Sequence, residues 1–247
     1  MEYVIGIPSY RRAERQFTLG YLRGIGVDKS KIVVCVQSCD DYKAYKARGV
    51  DSECKLICHE ASSAAENRNN ILDYFSAGEA VILMDDDVIS VERLNGDVLK
   101  PIESATEFDG FVSRGFNEAA KAGTIGFGVY PVRNAFFMSN RVRSRQICDA
   151  GLIGLVNVGI RFSEAFQSKE DYELCCRVIR ECGAFVRLDD VTLNCKGGHV
   201  GGCENLYKDK RLWEKTAQRL ATLYPDIVEL RKDKAGEVRM RRTERAR

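Results

Sequence analysis

No apolar run in this chain approaches the roughly 18 residues that a membrane span requires, so no transmembrane helix is expected. The opening Met1-Glu2-Tyr3-Val4-Ile5-Gly6 lacks the basic stretch and cleavage site of a signal peptide. It reads as a strand, and a cytoplasmic location follows as the expectation (host cytoplasm for a viral source). Ten cysteines are present without a single CxxC pair, and the chain is too long for a small disulfide scaffold. Reduced thiols are therefore expected, with Cys35 and Cys58 in apolar runs and Cys175 and Cys176 on a helix. Cys195, His199 and Cys203 have a spacing compatible with zinc, but no CxxC supports them. Histidine is nearly absent: His59 ends a strand and reads as structural, which leaves His199. No glycine-rich phosphate loop follows the first strand, which counts against a nucleotidyltransferase. No linker and no internal repeat divides the chain.

What is present is an ordinary globular balance, with 45% hydrophobic and 30% charged residues. At 247 residues the chain buries a full core. The first half alternates between strand and helix periods. Strands are expected at Tyr3–Pro8, Lys31–Gln37, Cys54–His59 and Ala80–Met84, and helices at Arg12–Arg23, Asp40–Arg48 and Ser63–Phe75. That alternation implies right-handed βαβ units and a mainly parallel sheet. Beyond Val88, glycines 110, 115, 123, 126 and 128 break the pattern. Short apolar pieces at Thr124–Tyr130, Ala135–Met138 and Leu152–Phe162 suggest a smaller mixed or antiparallel part. A helix at Glu170–Glu181, a strand at Ala184–Leu188 and helical spacing over Leu206–Leu230, broken at Pro225, complete the reading. One domain is expected over 1–230, with a nucleotide-binding half (1–90) and an acceptor half (91–230). Residues 231–247 carry eight Lys/Arg against three Asp/Glu and form a basic tail. Such an end suits a polyanion such as DNA or an acidic membrane surface, or it simply solubilises the chain.

The most informative feature is Asp85-Asp86-Asp87, three carboxylates that end the apolar run Ala80-Val81-Ile82-Leu83-Met84. A buried strand delivers such a tip to the C-terminal edge of an open α/β sheet, where ligands bind. A divalent cation, Mn²⁺ or Mg²⁺, relieves the repulsion among them through hard oxygen ligands. Carboxylate-held metals of this kind commonly act on diphosphates; a solvated acidic turn is the plain alternative. In Ile7-Pro8-Ser9-Tyr10-Arg11-Arg12, Tyr10 is placed to stack on a base and an arginine to grip a phosphate or a carbonyl. Arg68, early in the helix after Ser62-Ser63, points toward the same edge. Surface arginines and a plain amphipathic helix are the competing readings. Glu170 and Asp171 open a helix, either complementing its dipole or supplying a general base. His199 lies within Lys196-Gly197-Gly198-His199-Val200-Gly201-Gly202, where close backbone approach suits a ligand.

Taken in order, these segments resemble the GT-A glycosyltransferases, which have a DxD motif and use a nucleotide-sugar donor. The resemblance spans about residues 3–203. It implies a GT-A-like, Rossmann-type sheet flanked by helices, with a smaller acceptor part. By that resemblance Asp85 and Asp87 are the ends of DxD, with a metal bridging them to the donor diphosphate. His199 completes the metal shell, and Asp171 is the acceptor base with Glu170 beside it. Pro8, Tyr10, Arg11, Arg68, Asp85 and Asp86 surround the nucleotide sugar, expected to be UDP-linked. The third aspartate leaves the DxD register open, and the family's usual glycine before Arg-Asn is missing. The Ile-Pro-Ser-Tyr-Arg-Arg start and compact size are also similar to the phage and eukaryotic glycosyltransferases associated with thymine/cytosine-hydroxylating dioxygenases, relatives of the base J glucosyltransferase. This narrower resemblance implies a hydroxymethylated pyrimidine in DNA as acceptor. Lys208, Lys210, Arg211, Arg219 and the basic tail would then hold the backbone in a salt-dependent way. A polysaccharide or lipid-linked acceptor, or a non-enzymatic nucleic-acid-binding protein, are the rival expectations.

Overall fold

The computed structural model describes residues 1–149, 151–196 and 209–241. Twelve strands and seven helices of this description follow in chain order. They are β1 (Val4–Ser9), α1 (Phe17–Gly24), β2 (Ile32–Val36), α2 (Cys39–Ala47), α3 (Val50–Glu53), β3 (Lys55–Cys58) and α4 (Ala64–Tyr74). Next come β4 (Ala80–Met84), β5 (Val88–Asn95), β6 (Val98–Pro101), α5 (Ala105–Lys121), β7 (Gly126–Tyr130), β8 (Val142–Arg143) and β9 (Leu152–Val156). The last are α6 (Glu170–Cys182), β10 (Val186–Cys195), α7 (Lys210–Leu223), β11 (Val228–Leu230) and β12 (Val238–Met240).

Ten strands form one sheet in the order β3-β2-β1-β4-β9-β7-β10-β5-β6, with β8 on β10, while β11 and β12 make a separate hairpin. β1 pairs in parallel with both β2 and β4, placing Ile5 between Ile32 and Ile82. β9 runs against β4 and β7, and β10 then pairs in parallel with β7. β1 to β4, β6, β7 and β10 therefore share one direction, as the mainly parallel reading requires. Val81, Ile82, Leu83 and Met84 have no solvent exposure. A strand apolar at every position must be covered on both faces. One face carries Leu19 and Leu22 of α1 with Phe108, Phe111 and Val112 of α5. The other carries Ile71 and Leu72 of α4, Leu174 and Val178 of α6, and Leu220 of α7.

The structure differs from the sequence expectations in the middle of the chain. Glycines 110 and 115, read as breakers, lie inside the 17-residue helix α5. A Cβ at Gly115 would stand 2.3 Å from the Phe127 ring, so the missing side chain lets helix and sheet approach. β5 and β6 form a hairpin turned by Gly96-Asp97, with Gly96 at φ 63°. A two-residue loop needs that backbone. Ala135–Met138 is not a strand: Ala135–Phe137 is a single 3₁₀ turn with Phe136 and Phe137 exposed. The helix expected from Arg12 starts only at Phe17, because residues 10–16 form turns around Arg11 at φ 54°. The strand expected over Ala184–Leu188 starts at Val186 and runs on to Cys195, with a register shift between Leu188 and Thr192.

Charge alone suggested a tail from Arg231, yet the chain stays folded to Arg241. β12 pairs with β11, and Arg241 N donates to Ile227 O at 2.8 Å. Arg231 and Arg239 pair with Asp233 and Glu229. All the described cysteines are free thiols. Among the described residues, no helix is long and apolar enough to cross a membrane.

Candidate functional site

The C-terminal ends of β1 and β4 open onto a cleft of about 650 Å³, lined by Pro8, Ser9, Tyr10, Arg12, Arg68, the three aspartates and Glu170, among others. Its acidic loop is anchored from three elements. Thr18 of α1 donates through its hydroxyl to the Asp85 carbonyl and accepts from Val88 N at 2.9 Å. Asp85 N donates to Gly151 O (3.1 Å) at the start of β9, and Lys196 N donates to Asp87 O (2.9 Å) at the end of β10. The backbone is thereby fixed, and the three side chains are sent to different surroundings.

Asp86 turns inward, with 5% of its surface exposed. Ser9 Oγ and Arg12 Nη1 both donate to its carboxylate. Ser9 shares a 2.7 Å hydrogen bond with the Tyr45 hydroxyl, which also accepts from Arg12 N at 3.0 Å. Burial pushes the Asp86 carboxyl up to about 6, against the pull of Arg12 and Ser9. Asp87 keeps 22% of its side chain exposed and lies 3.6 Å from Arg12 Nη1. Burial and the Asp85 charge raise its pKa, and Arg12 lowers it.

Asp85 is the more open of the three, at 35% side-chain exposure, and receives Arg68 Nη2 at 2.7 Å. The other arm of the same guanidinium donates to Glu170 Oε1 at 2.6 Å. Burial works against the Arg68 charge, but Asp85 and Glu170 overcome it and raise its pKa. The positioning of Arg68 follows from its helix. Ser63 caps α4 by accepting from Glu66 N, and the Glu66 carboxylate reaches back to Ser62 N at 2.7 Å. Asn67 then donates to Cys35 O, while Asn69 exchanges hydrogen bonds with Phe162. These flanking asparagines hold the helix, and Arg68 and Asn67 line the cleft while Asn69 does not.

The structure thus brings Pro8, Tyr10, Arg68, Asp85, Asp86, Asp87 and Glu170 together. Arg11 is not part of the lining: its guanidinium stacks over Tyr10, 4.9 Å from the ring centre, and Arg12 takes the inward position. Asp171 also lies outside the lining and accepts from Tyr172 N at 2.8 Å, at the first turn of α6. His199, Cys203 and Lys208 lie outside the described residues. Lys210, Arg211 and Arg219 lie on α7. Arg219 donates to Ala165 O and stacks over Phe166, 4.9 Å from its centre.

Two residues with no sequence signal border this site. Asp149 is exposed overall, but protein crowding its carboxyl, together with the Asp85 charge, raises its pKa. Lys169, at φ 58° just before Glu170, is buried, with its ammonium 3.4 Å from the centre of the Trp213 ring. Among the described residues no group of three or more His, Cys, Asp and Glu side chains is arranged to hold a metal. The donor chemistry still suits a hard divalent ion. Asp85 and Asp87 offer partly open carboxylates, and burial together with the Asp85 charge raises the Asp87 pKa.

Known structures share this architecture. The chain aligns over 90% of its length with Staphylococcus aureus TarS 1-349 in complex with UDP-GlcNAc, at TM-score 0.55 and 14% identity. It aligns over 88% of its length with the mannosyltransferase PcManGT from Pyrobaculum calidifontis in complex with GDP-Man and Mn²⁺, at TM-score 0.59 and 13% identity. The fold is that of the GT-A glycosyltransferases. A further match covers 90% of the chain: glucosyl-3-phosphoglycerate synthase from Mycobacterium tuberculosis in complex with phosphoglyceric acid, at TM-score 0.51 and 10% identity. The chain spans 67% of the TarS structure, 64% of the mannosyltransferase and 80% of the synthase. At these identities the likeness is one of fold. No protein-family model and no curated sequence matches the chain.

Proposed function

We propose that the protein is a metal-dependent glycosyltransferase that moves a hexose from a nucleoside diphosphate sugar to a hydroxyl acceptor. The observation that carries this reading is the delivery of Asp85 and Asp87, partly open and unlike the buried Asp86, to a cleft at the sheet's C-terminal edge. The neighbours solved with UDP-GlcNAc and with GDP-Man and Mn²⁺ have the same fold. In this reading Asp85 and Asp87 hold Mn²⁺ or Mg²⁺, and His199 is their proposed companion. When bound, the ion supplies Lewis-acid neutralisation of the donor diphosphate.

The chain's own side chains account for the rest. Pro8 and Tyr10 flank the nucleoside, and Tyr10 offers its ring as a stacking face. Arg12, held by Asp86, presents its charge on the diphosphate side. Arg68 fixes Asp85 and Glu170 at once, so the donor end and the acceptor end of the cleft keep one geometry. The acceptor oxygen forms a bond to the sugar's anomeric carbon as the bond from that carbon to the diphosphate oxygen breaks. The nucleoside diphosphate leaves, and the acceptor proton passes to a carboxylate of the Glu170-Asp171 pair.

A hydroxymethylated pyrimidine in DNA and a polysaccharide or lipid-linked sugar fit this donor site equally. The test is a donor panel of UDP- and GDP-sugars with Mn²⁺, run with hydroxymethylated DNA, unmodified DNA and saccharides. Nucleoside diphosphate release that needs both Mn²⁺ and Asp87 supports the reading. No turnover and no nucleotide binding with any donor overturns it.

A further inference from the structure

A second cleft, about 1210 Å³, opens beside the donor side and is lined by Arg143, Arg145, Arg187, Lys234, Arg241 and Asp149, among others. Asp149 links the two clefts. Its carboxylate accepts from Gly151 N at 2.8 Å, and the carbonyl of the same glycine accepts from Asp85 N at 3.1 Å. Anything bound in the second cleft therefore has one end near the acidic loop.

The wall is cationic beyond its own pairing. Arg143 and Arg187 both donate to the single carboxylate of Asp189, at 2.6 Å each, so one positive charge is left between them. Lys234 pairs with Glu237 at 3.5 Å, a carboxylate that the buried Lys169 also reaches from behind. Arg145 reaches a backbone carbonyl, Asp226 O at 3.3 Å, and its Nε is buried with no hydrogen-bond partner among the described residues. Arg241 makes no side-chain ion pair among the described residues, whereas Arg231 and Arg239 are matched by Asp233 and Glu229. Seven lining cations face two lining carboxylates, Asp149 and Glu237, and Asp189, Asp233 and Glu229 offset three more charges from behind the wall, so net positive charge remains. Concentrating like charge in a concave wall is unfavourable without an anion to receive it. Arginine forks are the geometry that phosphate oxygens accept in pairs.

We propose that this cleft binds the acceptor, and that the acceptor is a small phosphorylated hydroxyl compound or the phosphorylated end of a chain. The phosphate sits among Arg145, Arg187 and Arg241, and the hydroxyl points past Asp149 and Tyr172 toward Asp85. The volume exceeds the ~300–1,000 Å³ typical of small-molecule clefts, which leaves room for a sugar unit beyond the phosphate. The proposal rests on the glycosyltransferase reading, because it assigns the second substrate of that reaction.

The test is equilibrium binding by calorimetry of inorganic phosphate, glucose 6-phosphate, glucose and a hydroxymethylated DNA duplex, at two salt concentrations. The wild type is compared with the Arg145→Gln/Arg241→Gln double variant, and UDP with Mn²⁺ is titrated separately into both. Glucose 6-phosphate is expected to bind the wild type, more weakly at high salt, while glucose does not. Loss of two charge-assisted contacts should weaken it at least ~10-fold in the double variant, with UDP affinity unchanged. Equal binding of glucose and its phosphate, equal binding to both proteins, or binding of the duplex alone overturns the proposal. Failure of UDP with Mn²⁺ to bind the wild type instead removes the donor reading, and the phosphate titration is judged apart from it.

Discussion

Arg68 and Asp85 meet at 2.7 Å across the floor of the cleft, and the second arm of the same guanidinium holds Glu170. One buried cation therefore joins the acidic loop after β4 to the first turn of α6. Replacing it by alanine leaves two carboxylates facing each other in a closed space. Arg68→Ala is expected to cost about 3 kcal/mol, toward the low end for a broken buried pair because Asp85 is one-third exposed. Arg68→Lys keeps the charge but loses the fork and should fall between. Urea denaturation of the three proteins measures both.

Asp87→Asn separates binding from folding. Asp87 is crowded by negative charge and has one distant cation, Arg12 at 3.6 Å. Removing its charge should change stability by no more than about 0.5 kcal/mol, as for a substitution that breaks no buried pair. The heat of Mn²⁺ binding should disappear. A thermal melt paired with Mn²⁺ titration reads the two effects, and retained Mn²⁺ binding would reject the metal assignment.

The acid loop also sets a pH dependence in metal-free protein. Asp86 is raised from 3.8 to about 6, and Asp87 and Asp149 move the same way. The folded state therefore binds protons more tightly than the unfolded chain. The stabilisation from this is present below about pH 4 and is lost as pH rises through about 6. In EDTA, denaturation midpoints should fall across that window, and Asp86→Asn should flatten the fall.

Gly115→Ala tests the close approach of α5 to the sheet. Helix propensity alone favours alanine by about 1 kcal/mol. The new methyl would stand 2.3 Å from the Phe127 ring, which is itself packed on Phe111 and Phe116. Overpacking of this kind costs about 1–3 kcal/mol, so net destabilisation is expected in denaturant titration.

The parallel half was legible because its signals were local and agreed. Val81 to Met84 is apolar at every position, and Ser63 with Glu66 marks a helix start. Those strands and helices lie close to their expected places, apart from α1, which starts at Phe17 rather than Arg12, and the short α3, which was not expected. The second half was legible only in fragments. A glycine inside a helix is unfavourable in isolation, and Gly115 is tolerated because Phe127, twelve residues on, needs the space. The Gly96-Asp97 turn carried a hairpin signal that the run of later glycines obscured.

The site divided in the same way. The acidic tip could be read because three carboxylates in a row are rare after a buried strand. Which aspartate turns inward could not, since that depends on Ser9, Arg12 and Tyr45 from two other elements. Arg12 rather than Arg11 lines the cleft because the left-handed backbone at Arg11 swings that side chain outward. Asp149 had no signal at all, and its place comes from the strand order that sets β9 beside β4.

The chain has a single tryptophan, and its ring rests on the ammonium of the residue that precedes Glu170. Intrinsic fluorescence is therefore an unlabelled optical gauge for one spot in the molecule, the doorstep of the acid pair. A shift in emission as a second substrate arrives would report that event in real time, with no dye attached.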